Sequence, residues 1–82
     1  MLSFDEYNEA TLDTRYEEVF RSGMLLDTFF SENYKVALYS YNSFIVEVLY
    51  RLEIDTVKDL LAITVIEAAD KYVSLKGRFD VI

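Results

Sequence analysis

The chain has 82 residues, of which 52% are hydrophobic and 28% are charged. This length predicts one small acidic domain over residues 1–82, because a single core normally serves about 100–150 residues. The hydrophobic fraction is too high for intrinsic disorder. Fifteen acidic and eight basic residues give a formal net charge of -7. This charge argues against nucleic acid as a ligand, because affinity for a phosphate backbone comes from Lys and Arg.

The composition also limits the chemistry of the protein. The chain contains no His and no Cys, so it lacks imidazole and thiolate metal ligands, Ser-His relays and Cys nucleophiles. Its two glycines, Gly23 and Gly77, stand in no phosphate-binding loop. These features predict a protein that is not an enzyme and that holds no metal or cofactor.

No segment is expected to enter a membrane. The longest run without a charged residue, residues 36–46, is shorter than the about 17–25 residues that a transmembrane helix needs. The N-terminus carries Asp5 and Glu6, whereas a signal peptide begins with basic residues. We therefore expect a cytoplasmic protein.

The first predicted element is a helix over residues 4–22. Ser3 and Glu6 have the spacing of a capping box at its start, and Gly23 suits a left-handed helix end. Residues 24–30 are nearly all apolar, and their period does not distinguish a final helical turn from an extended segment. The apolar side chains that predict the buried helix face are Phe4, Tyr7, Leu12, Tyr16, Val19 and Phe20.

Residues 34–41 and 44–51 predict the two strands of a β-hairpin. Both segments are rich in aromatic and β-branched residues, and they are separated only by Asn42-Ser43. A two-residue loop places Leu38 opposite Glu47.

The hairpin has two largely apolar faces, and both are expected to be covered at least in part. Side chains alternate between the faces of a strand. One face carries Tyr39, Tyr41, Phe44, Val46, Val48 and Tyr50, and the other carries Val36, Leu38, Ile45, Glu47 and Leu49.

The segment after the hairpin fits two interpretations. Apolar residues at helical spacing favour one long helix over residues 56–75, whereas the β-branched run at residues 63–66 favours a strand. In the second interpretation a third strand at residues 57–65 precedes a short helix at residues 67–75.

One pattern is formed by residues 38–50, by Val57, Leu60, Ala62 and Ile63, and by Asp70-Lys71-Tyr72. With this pattern the chain resembles a group of short uncharacterised bacterial proteins. The group's pattern is Leu-Tyr, a small turn, an aromatic-x-Val-Glu-Val segment and an isoleucine-rich strand. The resemblance implies an α+β fold with an N-terminal helix, a three-stranded antiparallel meander and a short C-terminal helix. The group has no established activity, so the resemblance adds nothing on function.

Four acidic residues, Asp5, Glu9, Asp13 and Glu17, recur every four positions. On one helix this spacing places them along one face, about 6 Å apart. Such a row could imitate the phosphates of nucleic acid, and it marks these four residues as candidates for binding a basic protein partner. The favoured alternative is a solvated helix face that keeps the protein soluble.

Glu47 is the candidate for carboxylate chemistry, because it lies in an apolar run that would raise its pKa. The spacing places no second carboxylate beside it. The favoured interpretation is therefore structural: Glu47 lies on the more open face of the sheet, or it pairs with Arg15, Arg51 or a tyrosine hydroxyl.

The aromatic content points to packing rather than to nucleic-acid stacking. The chain has seven Tyr and six Phe, and they are not interleaved with Lys and Arg as in single-strand binders. We therefore expect a non-enzymatic intracellular interaction module that self-associates as a homo-oligomer. The alternative is an acidic inhibitor that imitates nucleic acid.

Overall fold

The computed structural model describes residues 1–72. It has an α+β fold in which helices precede and follow an antiparallel four-stranded sheet. The strand order is β1-β2-β3-β4, so each strand pairs with its neighbour in sequence. The elements are α1 (Phe4–Glu9), α2 (Leu12–Ser22), β1 (Met24–Phe30), β2 (Tyr34–Tyr41), β3 (Phe44–Arg51), β4 (Thr56–Ile63) and α3 (Val65–Lys71).

The predicted single helix over residues 4–22 is wrong, because the chain forms two helices with a break at Ala10 and Thr11. The backbone of both break residues is extended. The Thr11 hydroxyl accepts a hydrogen bond from the backbone N–H of Thr14 at 3.2 Å. Thr11 is therefore the N-cap of a second helix, and its side chain replaces the backbone bond that a continuous helix would make.

Gly23 ends α2, but not in the predicted left-handed conformation. Its φ is -89°, and the backbone continues directly into β1. Glycine is needed here for close approach, since an added Cβ would lie 2.5 Å from the backbone oxygen of Val19. Residues 24–30, for which the sequence did not distinguish a helical turn from an extended segment, form the strand β1.

The sheet has four strands instead of the predicted three, because β1 pairs with β2. The predicted hairpin register is confirmed, with Leu38 opposite Glu47. Asn42 adopts a positive φ of 53°, whereas Ser43 does not. Asn tolerates a positive φ better than Ser does, so the left-handed position of the loop is occupied by the better suited of its two residues.

The strand predicted at residues 57–65 is present as β4, but it ends at Ile63. A capping box formed by Thr64 and Glu67 starts α3 immediately afterwards. Val65 is consequently the first residue of the helix and not the last of the strand.

This arrangement also decides between the two interpretations of the segment. The alternative of a continuous helix over residues 56–75 is wrong, because β4 occupies its first half. The short helix predicted at residues 67–75 begins earlier, at Val65. Its predicted end, residues 73–75, lies outside the described residues.

The sheet separates two apolar clusters, which confirms that both hairpin faces are covered at least in part. Tyr7 of α1 and Val19 of α2 are fully buried on one face, and Ala68 of α3 is fully buried on the other. The larger cluster consists of Tyr7, Val19, Ala37, Tyr41, Phe44, Val46, Val48, Leu60 and Ala62. The smaller cluster consists of Leu38, Ile45, Ile63 and Ala68.

Arg15 connects the break between the helices to the sheet. Its guanidinium donates hydrogen bonds to the backbone oxygens of Ala10 at 2.9 Å, Asn8 at 3.1 Å and Leu60 at 2.8 Å. The Tyr7 hydroxyl donates to the backbone oxygen of Arg15 at 2.7 Å. One side chain therefore satisfies backbone acceptors at the end of α1, in the break and in β4.

Asn8 closes the outer border of β4. Its side-chain amide donates to the Ala62 oxygen at 3.2 Å and accepts from the Ala62 N–H at 3.0 Å. These two bonds replace the pair that a neighbouring strand would make. Asn8 therefore protects this border against pairing with another strand.

Replacing Arg15 with Met should lower the free energy of unfolding by about 1–3 kcal/mol, because it leaves three backbone oxygens without their donor. Urea denaturation followed by circular dichroism measures the change. Arg21→Met is the matched control, since Arg21 is exposed and its salt bridge is to Glu18 on the same helix. The control should change stability by less than about 0.5 kcal/mol. Equal effects of the two substitutions would contradict the role of Arg15.

Candidate functional site

The four acidic residues of the predicted row lie on two helices. Asp5 and Glu9 belong to α1, and Asp13 and Glu17 belong to α2. All four are exposed. The break between the helices removes the single continuous face that the spacing required, and partner binding by these residues stays a prediction.

Glu47 lies on the sheet face that α3 covers, and it is only 8% exposed. Its carboxylate accepts a hydrogen bond from Lys71 Nζ at 2.8 Å and another from the Tyr72 hydroxyl. A tyrosine partner was predicted and is present. The two predicted arginine partners are wrong, because Arg15 bonds the helix break and Arg51 contacts Glu53.

The contacts of Glu47 with Lys71 and Tyr72 join α3 to the sheet. Burial and the bond to Glu47 raise the pKa of Tyr72, so the hydroxyl stays protonated and remains a donor. Within residues 1–72, every buried side-chain nitrogen and oxygen has a hydrogen-bond partner. Glu47 therefore holds the end of α3 against the sheet.

A cleft of about 590 Å³ lies between the first half of α2 and the strands β3 and β4. Leu60 lies in its buried part, and two tyrosine rings and two carboxylates stand around it. We call it the aromatic cleft. Its lining residues are Leu12, Asp13, Tyr16, Tyr50, Asp55, Thr56, Val57, Lys58 and Leu60.

Tyr50 lines the aromatic cleft and also contacts a positively charged side chain. Lys35 Nζ lies 4.2 Å from the centroid of the Tyr50 ring, which is a cation–π contact. Burial raises the pKa of Tyr50 to about 12, and the neighbouring Tyr39, Tyr16 and Asp55 add to this rise. The Tyr50 hydroxyl is therefore neutral at physiological pH.

A second surface lies beside α2, on the same face of the sheet. Leu25 pairs with Tyr39, and Phe30 pairs with Lys35. The Phe20 ring of α2 packs against the Tyr39 ring, with 5.4 Å between centroids. Leu25 is 54% exposed, Phe30 70% and Phe20 38%. We call these three exposed residues the β1 patch.

Neither surface was predicted from the sequence. The periodic stripe on the first helices predicted that Leu12, Tyr16 and Phe20 are buried, whereas all three are exposed. Their spacing of four residues places them on one line along α2. This spacing is the sequence feature that indicates a shared apolar surface on the helix. The sequence does not show which part of a long apolar stripe meets the sheet.

Comparison of the chain with protein-family models, with curated proteins and with solved structures finds no match. The resemblance to short bacterial proteins therefore stays a prediction.

Two further observations concern residues 1–72. In this part of the chain, no three acidic side chains lie close enough together to hold a metal ion. None of its helices is long and apolar enough to cross a membrane.

The tyrosines predict a loss of stability at alkaline pH. Burial is the main cause that raises the pKa of Tyr7, Tyr50 and Tyr72. The unfolded chain ionises its tyrosines near pH 10, while the folded chain keeps these three protonated. The free energy of unfolding should therefore fall as the pH rises above about 10. Urea denaturation at a series of pH values, with phenolate absorbance followed in parallel, checks this. An unchanged free energy of unfolding through that window would contradict the prediction.

Glu47→Gln should lower the free energy of unfolding by about 1 kcal/mol, because it removes the ion pair with Lys71 but keeps an acceptor for Tyr72. Lys71 is largely exposed, which limits the loss. Glu53→Gln, at the exposed pair with Arg51, is the control and should have a smaller effect. Thermal and urea denaturation measure both variants. A larger loss in the control would show that Glu47 does not hold α3.

Proposed function

We propose that the protein is a non-enzymatic intracellular interaction module that self-associates through the β1 patch. The observation that supports this proposal is the exposure of Leu25 and Phe30 by more than half of their surface. Together with Phe20 they form an exposed apolar area along one face of β1, in which Thr28 stands between Leu25 and Phe30. Exposed areas of this kind are typical of surfaces that contact other proteins.

The charge distribution favours a second copy of the chain as the occupant of the β1 patch. Two copies with a formal net charge of -7 repel each other at long range. Contact between them costs least where acidic side chains are absent. The sheet residues that share the face of the patch in β1 and β2 are Thr28, Lys35, Ala37 and Tyr39, and none of them is acidic.

The borders of the sheet support the same choice. Asn8 and Arg15 occupy backbone groups along β4, so a second copy would have to displace them to pair there. Two copies that meet at their β1 patches about a twofold axis would bury Leu25 and Phe30 of both chains without disturbing any of these bonds.

The second candidate function is an acidic inhibitor that imitates nucleic acid and binds a basic protein. The exposure of Asp5, Glu9, Asp13 and Glu17 supports it. The break between α1 and α2 weakens it, because the row has no single helix to align its carboxylates. Self-association is therefore the better supported function.

Light scattering on a sizing column should give a mass of at least twice the 9.6 kDa of one chain. Replacing both Leu25 and Phe30 with Ser should return the mass to that of one chain, because the substitutions remove most of the apolar contact. Ile66→Ser is the matched control, since Ile66 is 75% exposed on α3. It should leave the oligomer intact.

Two results would refute self-association at this patch. The first is a parent protein that remains at 9.6 kDa at high micromolar concentration. The second is an oligomer that Ile66→Ser disrupts as strongly as the double substitution of Leu25 and Phe30.

A further inference from the structure

We infer that the aromatic cleft binds an arginine side chain of a basic partner protein. This inference goes beyond self-association, because the residues that line the cleft include none of the β1 patch. The two surfaces can therefore be tested separately.

The shape of the cleft suits a long side chain with an apolar stem. Its volume of about 590 Å³ exceeds that of a single side chain. Leu12, Val57 and Leu60 supply apolar lining against which the methylene groups of an arginine can pack. A small hydrated ion would gain nothing from these contacts.

The carboxylates at the cleft suit the charged end of that side chain. Asp13 comes from the first turn of α2, and Asp55 comes from the loop between β3 and β4. Asp55 adopts a left-handed φ of 46°, which Asp tolerates better than most residues. A guanidinium has donors in a fixed fork that matches carboxylate geometry. The formal net charge of -7 also draws cations toward the protein.

The tyrosine rings favour arginine over other cations. Tyr16 and Tyr50 both line the cleft, and a planar guanidinium stacks on aromatic rings. Lys35 Nζ lies 4.2 Å from the Tyr50 centroid, so an arginine that stacks on Tyr50 shares this ring with a second cation, whereas the Tyr16 ring makes no cation–π contact within residues 1–72.

Lys58 is among the residues that line the cleft, and its positive charge would repel a cationic ligand. Its side chain is exposed, so its ammonium can remain in water while the ligand enters. Removing this charge should strengthen binding, which gives a variant whose expected effect is opposite to that of the Asp variants.

The test is a titration of the isotope-labelled full chain with N-acetyl-arginine methylamide, followed by amide chemical shifts. The matched probe is the citrulline counterpart, which has nearly the same shape but no charge. The arginine probe should give saturable shifts confined to the amides around Tyr16, Tyr50 and Val57, and the citrulline probe should not. The chain that carries Ser in place of Leu25 and Phe30 should respond in the same way, which separates this result from the outcome for self-association.

Replacing Asp13 and Asp55 with Asn should weaken binding of the arginine probe at least about fivefold, since two charge-assisted contacts are lost. Asp5→Asn with Glu9→Gln removes the same charge on α1 and should weaken it less than about twofold. Lys58→Gln should strengthen it. The inference is overturned by the absence of saturable shifts, by an equal response to citrulline, or by equal losses in the two acidic double variants.

Discussion

The guanidinium of Arg15 joins the first helices to a strand that is distant in sequence. Its acceptors lie at the end of α1, in the break and in β4. The break needs a donor for the carbonyls that a continuous helix would have satisfied internally, and β4 needs a cover for its outer backbone. Because one side chain meets both needs, α2 starts in a new direction at a fixed distance from the sheet. The aromatic cleft occupies the space that this placement leaves beside Tyr50.

The distribution of charge divides the surface into two kinds of region. Exposed acidic residues lie on α1, on α2 and in the loop after β3, whereas Leu25 and Phe30 lie on a sheet face where the other residues of β1 and β2 are uncharged or basic. Contacts at the first kind of region depend on ionic strength, and contacts at the second depend mainly on buried apolar area. The proposed contacts with a second copy and with a basic partner therefore differ in their physical origin as well as in their place.

The parts of the fold that the sequence predicts are those decided by neighbouring residues. The hairpin follows from alternation and from a two-residue loop, both of which are local. The break at Thr11 is joined to the sheet by a bond from Arg15 to Leu60, 45 residues away, and the sequence alone does not distinguish a threonine that caps a helix from one that lies within it. The same reason hides the Glu47 partner, since Lys71 lies 24 residues further on. The positions of the cleft and the patch depend on which part of an apolar stripe packs against the sheet. No pattern among neighbouring residues predicts that.

The side-chain amide that Asn8 places on Ala62 gives the sheet two unlike borders. Open-ended stacking of copies requires the first strand of one molecule to join the last strand of the next, over and over. Strand addition at the last strand must first displace the side-chain bonds there, which disfavours such a chain of sheets. Strand pairing between copies is then favoured at the first strand of each, and that contact closes as a pair. The Asn8 amide, together with Arg15 at Leu60, thus works against the open-ended association of this largely apolar chain.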